Sequence, residues 1–157
     1  MEHIVHLPKL KLLYMLQIHS YWAYLVLVML IIAFANSLKG LLSKKTFESK
    51  DLRLPLFALI VSHIQLIIGL GWYFMSPWFK GLKDNGMAAT MGDSAARLIT
   101  VEHPIMMILA IVLITIGFSK HKKKTSDTDK FKTITIFYGI ALLLILARIP
   151  WGQWLSL

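Results

Sequence analysis

The chain has 157 residues, 57% of them hydrophobic, and a formal net charge of +9. Four apolar stretches of about 20 residues or more fit a polytopic membrane protein and leave little room for a soluble domain. The lack of cysteine excludes disulfides, thiolate metal sites, iron–sulfur clusters and covalently attached haem. We predict one all-α domain over residues 1–157, an integral membrane up-down four-helix bundle. Its predicted spans are about Leu12–Ser37, Leu54–Phe79, Ala95–Phe118 and Thr133–Trp154.

The distribution of positive charge predicts the orientation of this bundle. Most lysines fall in the loops after the first and third spans, whereas few lie near the termini or in the loop after the second span. The positive-inside rule then puts the two basic loops in the cytoplasm and both termini on the outer, periplasmic side. This predicts a multi-pass membrane protein. We interpret the run Lys120–Lys124 as an orientation signal beside anionic lipid, not as a nucleic-acid site.

The first two spans carry polar residues that are unusual in lipid. In the first span, His19 and Ala23 share a helical face. The second span holds His63 and Gln65, followed by glycines that allow a close approach by another helix or a flat ligand. The glycine-containing loop after it, Pro77–Ser94, is interpreted as a connector, with a surface lid as the alternative.

The third span begins with a costly sequence, because Glu102, His103 and Pro104 stand in a row. Proline either starts a helix or kinks one, since it has no N–H and clashes with the preceding turn. A helix starting at Pro104 would be only about 22 Å long, too short for a bilayer core of about 30 Å. The helix is therefore predicted to begin near Ser94 or Ala95, with Asp93 or Ser94 as its cap, which places His103 inside the membrane at a kink.

The fourth span places Tyr138, Ala141, Ile145 and Arg148 on one helical face. An arginine at this depth requires an anion or a path to water. Arg148 is predicted to pair with a carboxylate of a bound cofactor, or else to reach the interface with Glu102 or lipid phosphate as its partner. Glu102 itself is expected to pair with an arginine or to face an outer water pocket.

Depth along the spans brings three of these residues to one level. At 1.5 Å per residue, His19, His103 and Arg148 lie within roughly 5 Å of one another in height, whereas His63 is roughly 9 Å deeper. Spans one and three sit diagonally in an up-down bundle, a separation that suits a haem with one imidazole on each face. We predict His19 and His103 as axial ligands and Arg148 as the partner of a haem propionate. His63 and Tyr138 are further candidates.

The apolar context of these residues resembles a known family. The stretches HSYWAYLVL, HIQLIIGLGWYF, EHPIMMILAIVLITIG and FYGIALLLILARIPW are similar to those of small four-helix bacterial membrane proteins known as cytochrome b. The resemblance implies non-covalent haem b and membrane electron transfer, with quinone or a larger respiratory complex as partner. A more distant similarity is to one half of haem A synthase. Because VEHP departs from that enzyme's pattern, a haem-modifying activity is a secondary hypothesis.

Two other functions remain open at this stage. One is a non-redox accessory subunit that packs against a larger membrane complex, with structural histidines. The other is a metal- or proton-handling site built from His19, His63, Glu102 and His103. The sequence favours an electron-transfer or accessory protein over a stand-alone enzyme. Membrane lipid is an expected partner, and nucleic acid is not. An oligomer is compatible with the sequence.

Overall fold

The computed structural model describes the backbone of residues 2–155 and the side chains of residues 10–155. Within this range the chain folds into seven α-helices and one π-helical turn, and it contains no β-strand. The helices are α1 Glu2–Leu42, α2 Ser49–Met75, α3 Pro77–Gly92, α4 Ser94–Arg97, the π turn Leu98–Glu102, α5 His103–His121, α6 Asp127–Arg148 and α7 Trp151–Trp154.

The described residues contain four helices that are long and apolar enough to cross a membrane: Leu10–Leu42, Ser49–Met75, Ser94–His121 and Asp127–Arg148. Helix α1 packs against α2 and α6, and α5 packs against the same two helices. Helices α1 and α5 are therefore diagonal across an up-down bundle, which confirms the predicted arrangement. We call the end with the α1–α2 and α5–α6 turns the basic end, and the end with α3 and α7 the cavity end.

The centre of the bundle is closed by small and branched side chains. Leu30, Ile114 and Ile134 are fully buried, and so is Tyr138, whose hydroxyl donates a hydrogen bond of 2.8 Å to the carbonyl of Pro55. Phe34 packs over Gly139, where a Cβ atom would lie 2.8 Å from its ring. Close contacts of this kind replace the hydrophobic driving force that helices lack in lipid.

The third spanning segment begins where the sequence predicts. Asp93 precedes α4 as its N-cap, and its carboxylate accepts a hydrogen bond of 2.7 Å from the N–H of Ala96. The segment then runs through α4, the π turn and α5 without a break.

The fourth segment differs from the predicted span Thr133–Trp154. Its helix α6 ends at Arg148, and Pro150 separates it from the short helix α7. A proline excludes the preceding residue from helical geometry, so Ile149 is extended, with φ −67° and ψ 132°. Helix α7 instead lies across the cavity end, where Trp154 Nε1 donates a hydrogen bond of 3.2 Å to the carbonyl of Ser20.

Candidate cofactor site

A cavity of about 210 Å³ opens inside the cavity end of the bundle. All four spanning helices contribute to its wall, and α3 and α7 add residues at its outer rim. The lining is mainly aliphatic and aromatic, with a few polar groups, which is the usual composition of a cofactor pocket. The polar and aromatic residues of the wall are His19, Ser20, Ser62, Gln65, Trp72, Tyr73, Trp78, His103, Gln153 and Trp154.

His19 and His103 both line this cavity, from the diagonal helices α1 and α5. Their ring centres are 6.2 Å apart, and their ring planes meet at 84°. With a nitrogen–metal bond of about 2 Å on each side, two imidazoles that share one metal ion have ring centres about 6 Å apart. The observed separation of the ring centres is close to this value.

The Nδ1 atom of His103 is hydrogen-bonded to the backbone of α6. His103 Nδ1 lies 2.8 Å from the carbonyl oxygen of Arg148. A carbonyl oxygen only accepts, so Nδ1 carries the hydrogen, and in the neutral ring Nε2 keeps a free lone pair. Metal-ligating histidines commonly donate their second N–H in this way, which fixes the tautomer and raises the basicity of the ligand.

The acceptor of this hydrogen bond belongs to the end of a helix. Arg148 is the last residue of α6, and the last four carbonyls of an α-helix have no partner within the helix. His103 satisfies one of them from the neighbouring segment. The negative end of the α6 dipole also favours an N–H donor at this point. The ring orientation of His103 is thus fixed by the place where α6 ends.

The π turn Leu98–Glu102 sets the approach of this segment to His103. A turn of this kind joins residues five apart, and the N–H of His103 bonds the carbonyl of Leu98. It also brings Arg97 and Glu102 to one face, where Arg97 Nε lies 3.0 Å from Glu102 Oε1. In a regular α-helix, residues five apart do not face each other. The local widening therefore creates an ion pair beside His103.

Pro104 leaves a second mark on this segment. Because it has no N–H, the turn before it lacks one backbone donor. The carbonyl of Thr100, four residues earlier, accepts a hydrogen bond of 3.1 Å from the hydroxyl of Tyr73 on α2. Tyr73 also lines the cavity. The hydrogen bond ties α2 to the kinked segment next to His103.

His19 is held between α2 and the cavity. Gln65 donates a hydrogen bond of 2.9 Å from its amide to the carbonyl of His19. The His19 ring lies over Gly69, where a Cβ atom would be 2.9 Å from His19 Cε1. Trp72 lies parallel to the ring, with centres 6.4 Å apart and planes at 10°. The sequence predicted a close approach at the glycines of this span, and at Gly69 the group that approaches is the imidazole ring of His19.

Several polar atoms around the cavity have no partner. Among the described side chains, His19 Nδ1, Gln65 Oε1 and Trp72 Nε1 are buried without a hydrogen bond. Buried polar atoms are nearly always paired, because an unpaired one costs about 1–3 kcal/mol. All three belong to residues of the cavity wall, where a ligand with polar groups could supply the missing partner.

Arg148 does not contribute its guanidinium to the cavity wall. Its Nε lies 3.4 Å from Glu102 Oε2, and its side chain is 43% exposed. This is an ion-pair distance without hydrogen-bond alignment, because Arg148 Nε has no hydrogen-bond partner among the described residues. Glu102 is thus shared by Arg97 and Arg148, and the pairing with Glu102 is the alternative that the sequence offered for Arg148. The role of Arg148 toward a propionate stays a prediction.

His63 and Tyr138 lie outside the cavity lining. His63 Nδ1 is 2.8 Å from the carbonyl of Leu59, one turn earlier, and His63 Nε2 is 3.4 Å from Thr115 Oγ1. Both histidine nitrogens therefore face groups of the bundle, and the hydroxyl of Tyr138 is used in the core. Among the described residues, no three His, Cys, Asp or Glu side chains are close enough to hold a metal ion together. The structure thus separates His63 from His19 and His103.

Sequence reasoning did not identify Tyr73 and Trp72 as site residues, and it missed the role of the Arg148 backbone. A signal for Tyr73 was present, because a proline inside a span frees a carbonyl that needs a donor from another helix. A backbone acceptor at a helix end has no side-chain pattern, so the sequence offered no signal for the Arg148 carbonyl.

The comparisons with known proteins gave no match. No family model matches the chain, and neither the curated proteins nor the solved structures include a match to it.

Proposed function

We propose that this protein binds haem b between His19 and His103 and transfers electrons in a membrane. The observation that carries the proposal is the pair of imidazole rings on diagonal helices, with centres 6.2 Å apart and planes at 84°. The His103–Arg148 hydrogen bond supports it, since Nε2 of His103 is left free for a metal. Gly69 also supports the proposal, because its lack of a side chain leaves room for the His19 ring.

The residues present fit such a cofactor in two further respects. The cavity wall is mainly apolar, as a porphyrin ring requires. The cavity of about 210 Å³ would have to widen to admit the ring, because ligand pockets usually measure about 300–1,000 Å³. The unpartnered atoms of Gln65 and Trp72 supply an acceptor and a donor for polar groups at its edge. Haem, when bound, supplies a one-electron redox centre, whose potential depends on its axial ligands and on the polarity around it.

Two protein ligands to one iron would favour electron transfer over ligand chemistry. If His19 and His103 both held the iron, they would leave it no free position for oxygen or a substrate. On this proposal the protein works with membrane-bound partners, either quinone or a larger respiratory complex. We further propose that it resides in a bacterial inner membrane with the cavity end outward, as the positive-inside rule predicts for the basic loops.

The test is the visible absorption spectrum of the purified protein, oxidised and then reduced with dithionite. We expect a Soret band that shifts on reduction and the sharp α band of a six-coordinate low-spin haem. A pyridine haemochromogen assay should identify haem b at about one haem per chain. A protein that is purified from haem-supplemented cells without haem, and that does not bind added haemin, would contradict the proposal and favour the accessory-subunit alternative.

A further inference from the structure

We infer that Glu102 and Arg148 form a positioning pair that aligns His103 as a ligand, and this inference rests on the proposed function. The third spanning segment contacts α6 at two points, through the adjacent residues Glu102 and His103, and both contacts are made to Arg148. Glu102 contacts the side chain of Arg148, with Nε and Oε2 3.4 Å apart. His103, the next residue, donates from Nδ1 to the backbone carbonyl of the same Arg148 at 2.8 Å.

This arrangement constrains Arg148, the residue at the end of α6 whose carbonyl oxygen accepts the hydrogen bond from His103. The terminal carbonyls of a helix are free to tilt, because the next turn is absent. Here α6 ends at Arg148, and Pro150 prevents its continuation. The ion pair fixes the last residue of α6 against the residue that precedes His103. The Arg148 carbonyl is thereby kept in line with Nδ1, and the imidazole plane follows.

Arg97 offers a matched comparison within the same cluster. It carries the same charge as Arg148 and pairs with the other oxygen of Glu102, at 3.0 Å. Its second contact is to the carbonyl of Met91 in α3, at 3.0 Å, and not to α6. Removing Arg97 therefore takes away one positive charge beside Glu102 and leaves the two contacts of Arg148 with Glu102 and His103 in place. A purely electrostatic role would make the two arginines equivalent, whereas a positioning role would not.

The experiment compares Arg148→Met, Glu102→Gln and Arg97→Met in the full-length protein, purified with haem. The readouts are the low-spin EPR signal of the ferric haem, which reports the orientation of the axial imidazoles, and haem affinity. Loss of an outer-shell partner typically weakens metal binding about 10–100-fold. We expect a loss of about that size and an altered EPR signal in Arg148→Met and Glu102→Gln. Arg97→Met should keep the wild-type signal and affinity.

Two further measurements keep the result decisive. Arg148→Lys keeps the charge and serves where Arg148→Met does not fold; because it loses the planar guanidinium, it should show the same EPR change in weaker form. If the wild-type chain binds no haem, the proposed function fails, and the pair is then tested by ¹⁵N NMR of His103 in the haem-free protein. A single Nδ1–H tautomer in the wild type that becomes mixed in Arg148→Met would support the pair. Equal effects of Arg97→Met and Arg148→Met, or an unchanged EPR or NMR signal in Arg148→Met, would overturn it.

Discussion

The hydroxyl of Tyr73 donates to the carbonyl of Thr100 at 3.1 Å, across the contact between α2 and the third spanning segment. In an unbroken α-helix, that carbonyl would accept from the N–H of residue 104, which here is proline. The tyrosine thus replaces a donor that the proline removes, one turn from His103.

Substitution of Tyr73 by phenylalanine should lower the free energy of unfolding by about 1 kcal/mol, because the Thr100 carbonyl loses its donor. Pro104→Ala restores a backbone N–H, so Tyr73→Phe should cost less in the Pro104→Ala background. Unfolding in mixed micelles, carried out on both single variants and the double variant, measures this coupling. Equal costs of Tyr73→Phe in the two backgrounds would mean that the hydroxyl does not substitute for the missing donor.

The two proposed ligands should be individually essential for the haem spectrum. His19→Ala and His103→Ala each remove one axial ligand, so each should abolish the low-spin absorption of the reduced protein. His63→Ala is the control, because its ring contacts Leu59 and Thr115 and lies outside the cavity wall. It should retain most of the absorption. A spectrum that is lost in His63→Ala and kept in His19→Ala would show that the ligand pair has been wrongly chosen.

Gly69 should be sensitive to a single added methyl group. In Gly69→Ala the new Cβ atom would lie 2.9 Å from His19 Cε1, so the imidazole must move away from its present position. We expect haemin affinity to fall by roughly 10-fold, the lower end of the cost of disturbing a ligand's surroundings. Titration with haemin, followed by absorbance, measures the change.

Gly71→Ala provides the control on the same helix. Its Cβ atom would lie 3.3 Å from the end of the flexible Met15 side chain, which can move at little cost. Affinity should therefore stay at the wild-type value. A similar loss in both variants would indicate a general effect on α2 and not the displacement of His19.

The orientation of the bundle is open to a direct test. Alkaline phosphatase is active only outside the cytoplasm, so a fusion at Leu157 should be active and a fusion within residues 122–126 should be inactive. A green fluorescent protein fusion should give the opposite pattern. Reversal of both patterns would place the cavity end in the cytoplasm and would leave the geometry of His19 and His103 unchanged.

The pairing of His19 with His103 was accessible from the sequence, and the reason is geometric. The rise of an α-helix is fixed, so position along a span gives depth. The connections after the first and third spans are short, so each joins antiparallel neighbours, and α3 lies in the longer connection after the second span. Consecutive spans that are neighbours make the first and third diagonal. The start of the third segment was accessible to within one residue, because the span needed the length and Asp93 and Ser94 are both good N-caps, of which the structure uses Asp93.

The features that remained hidden depend on exact backbone geometry. The π turn before His103 results from a choice between hydrogen bonds four and five residues apart, and side-chain spacing does not reveal it. Arg148 was expected to act through its guanidinium alone, whereas its carbonyl is the group that contacts His103. The fourth span was predicted to extend to Trp154, whereas α6 ends at Arg148, two residues before Pro150.

The off-centre position of the cavity has an energetic consequence for any electron that passes through it. Helix α5 places His103 and His121 at its opposite ends, about 27 Å apart along its axis. Moving one elementary charge across the whole membrane potential involves about 2.3 kcal/mol per 100 mV. His103 lies nine residues, about 13 Å, from the Ser94 end of the third spanning segment, so an electron that enters and leaves at its level from that end crosses about a third of the segment. On the proposed function, redox exchange at this site moves charge across only part of the membrane, and transfer across the whole membrane would require a second redox centre toward the basic end.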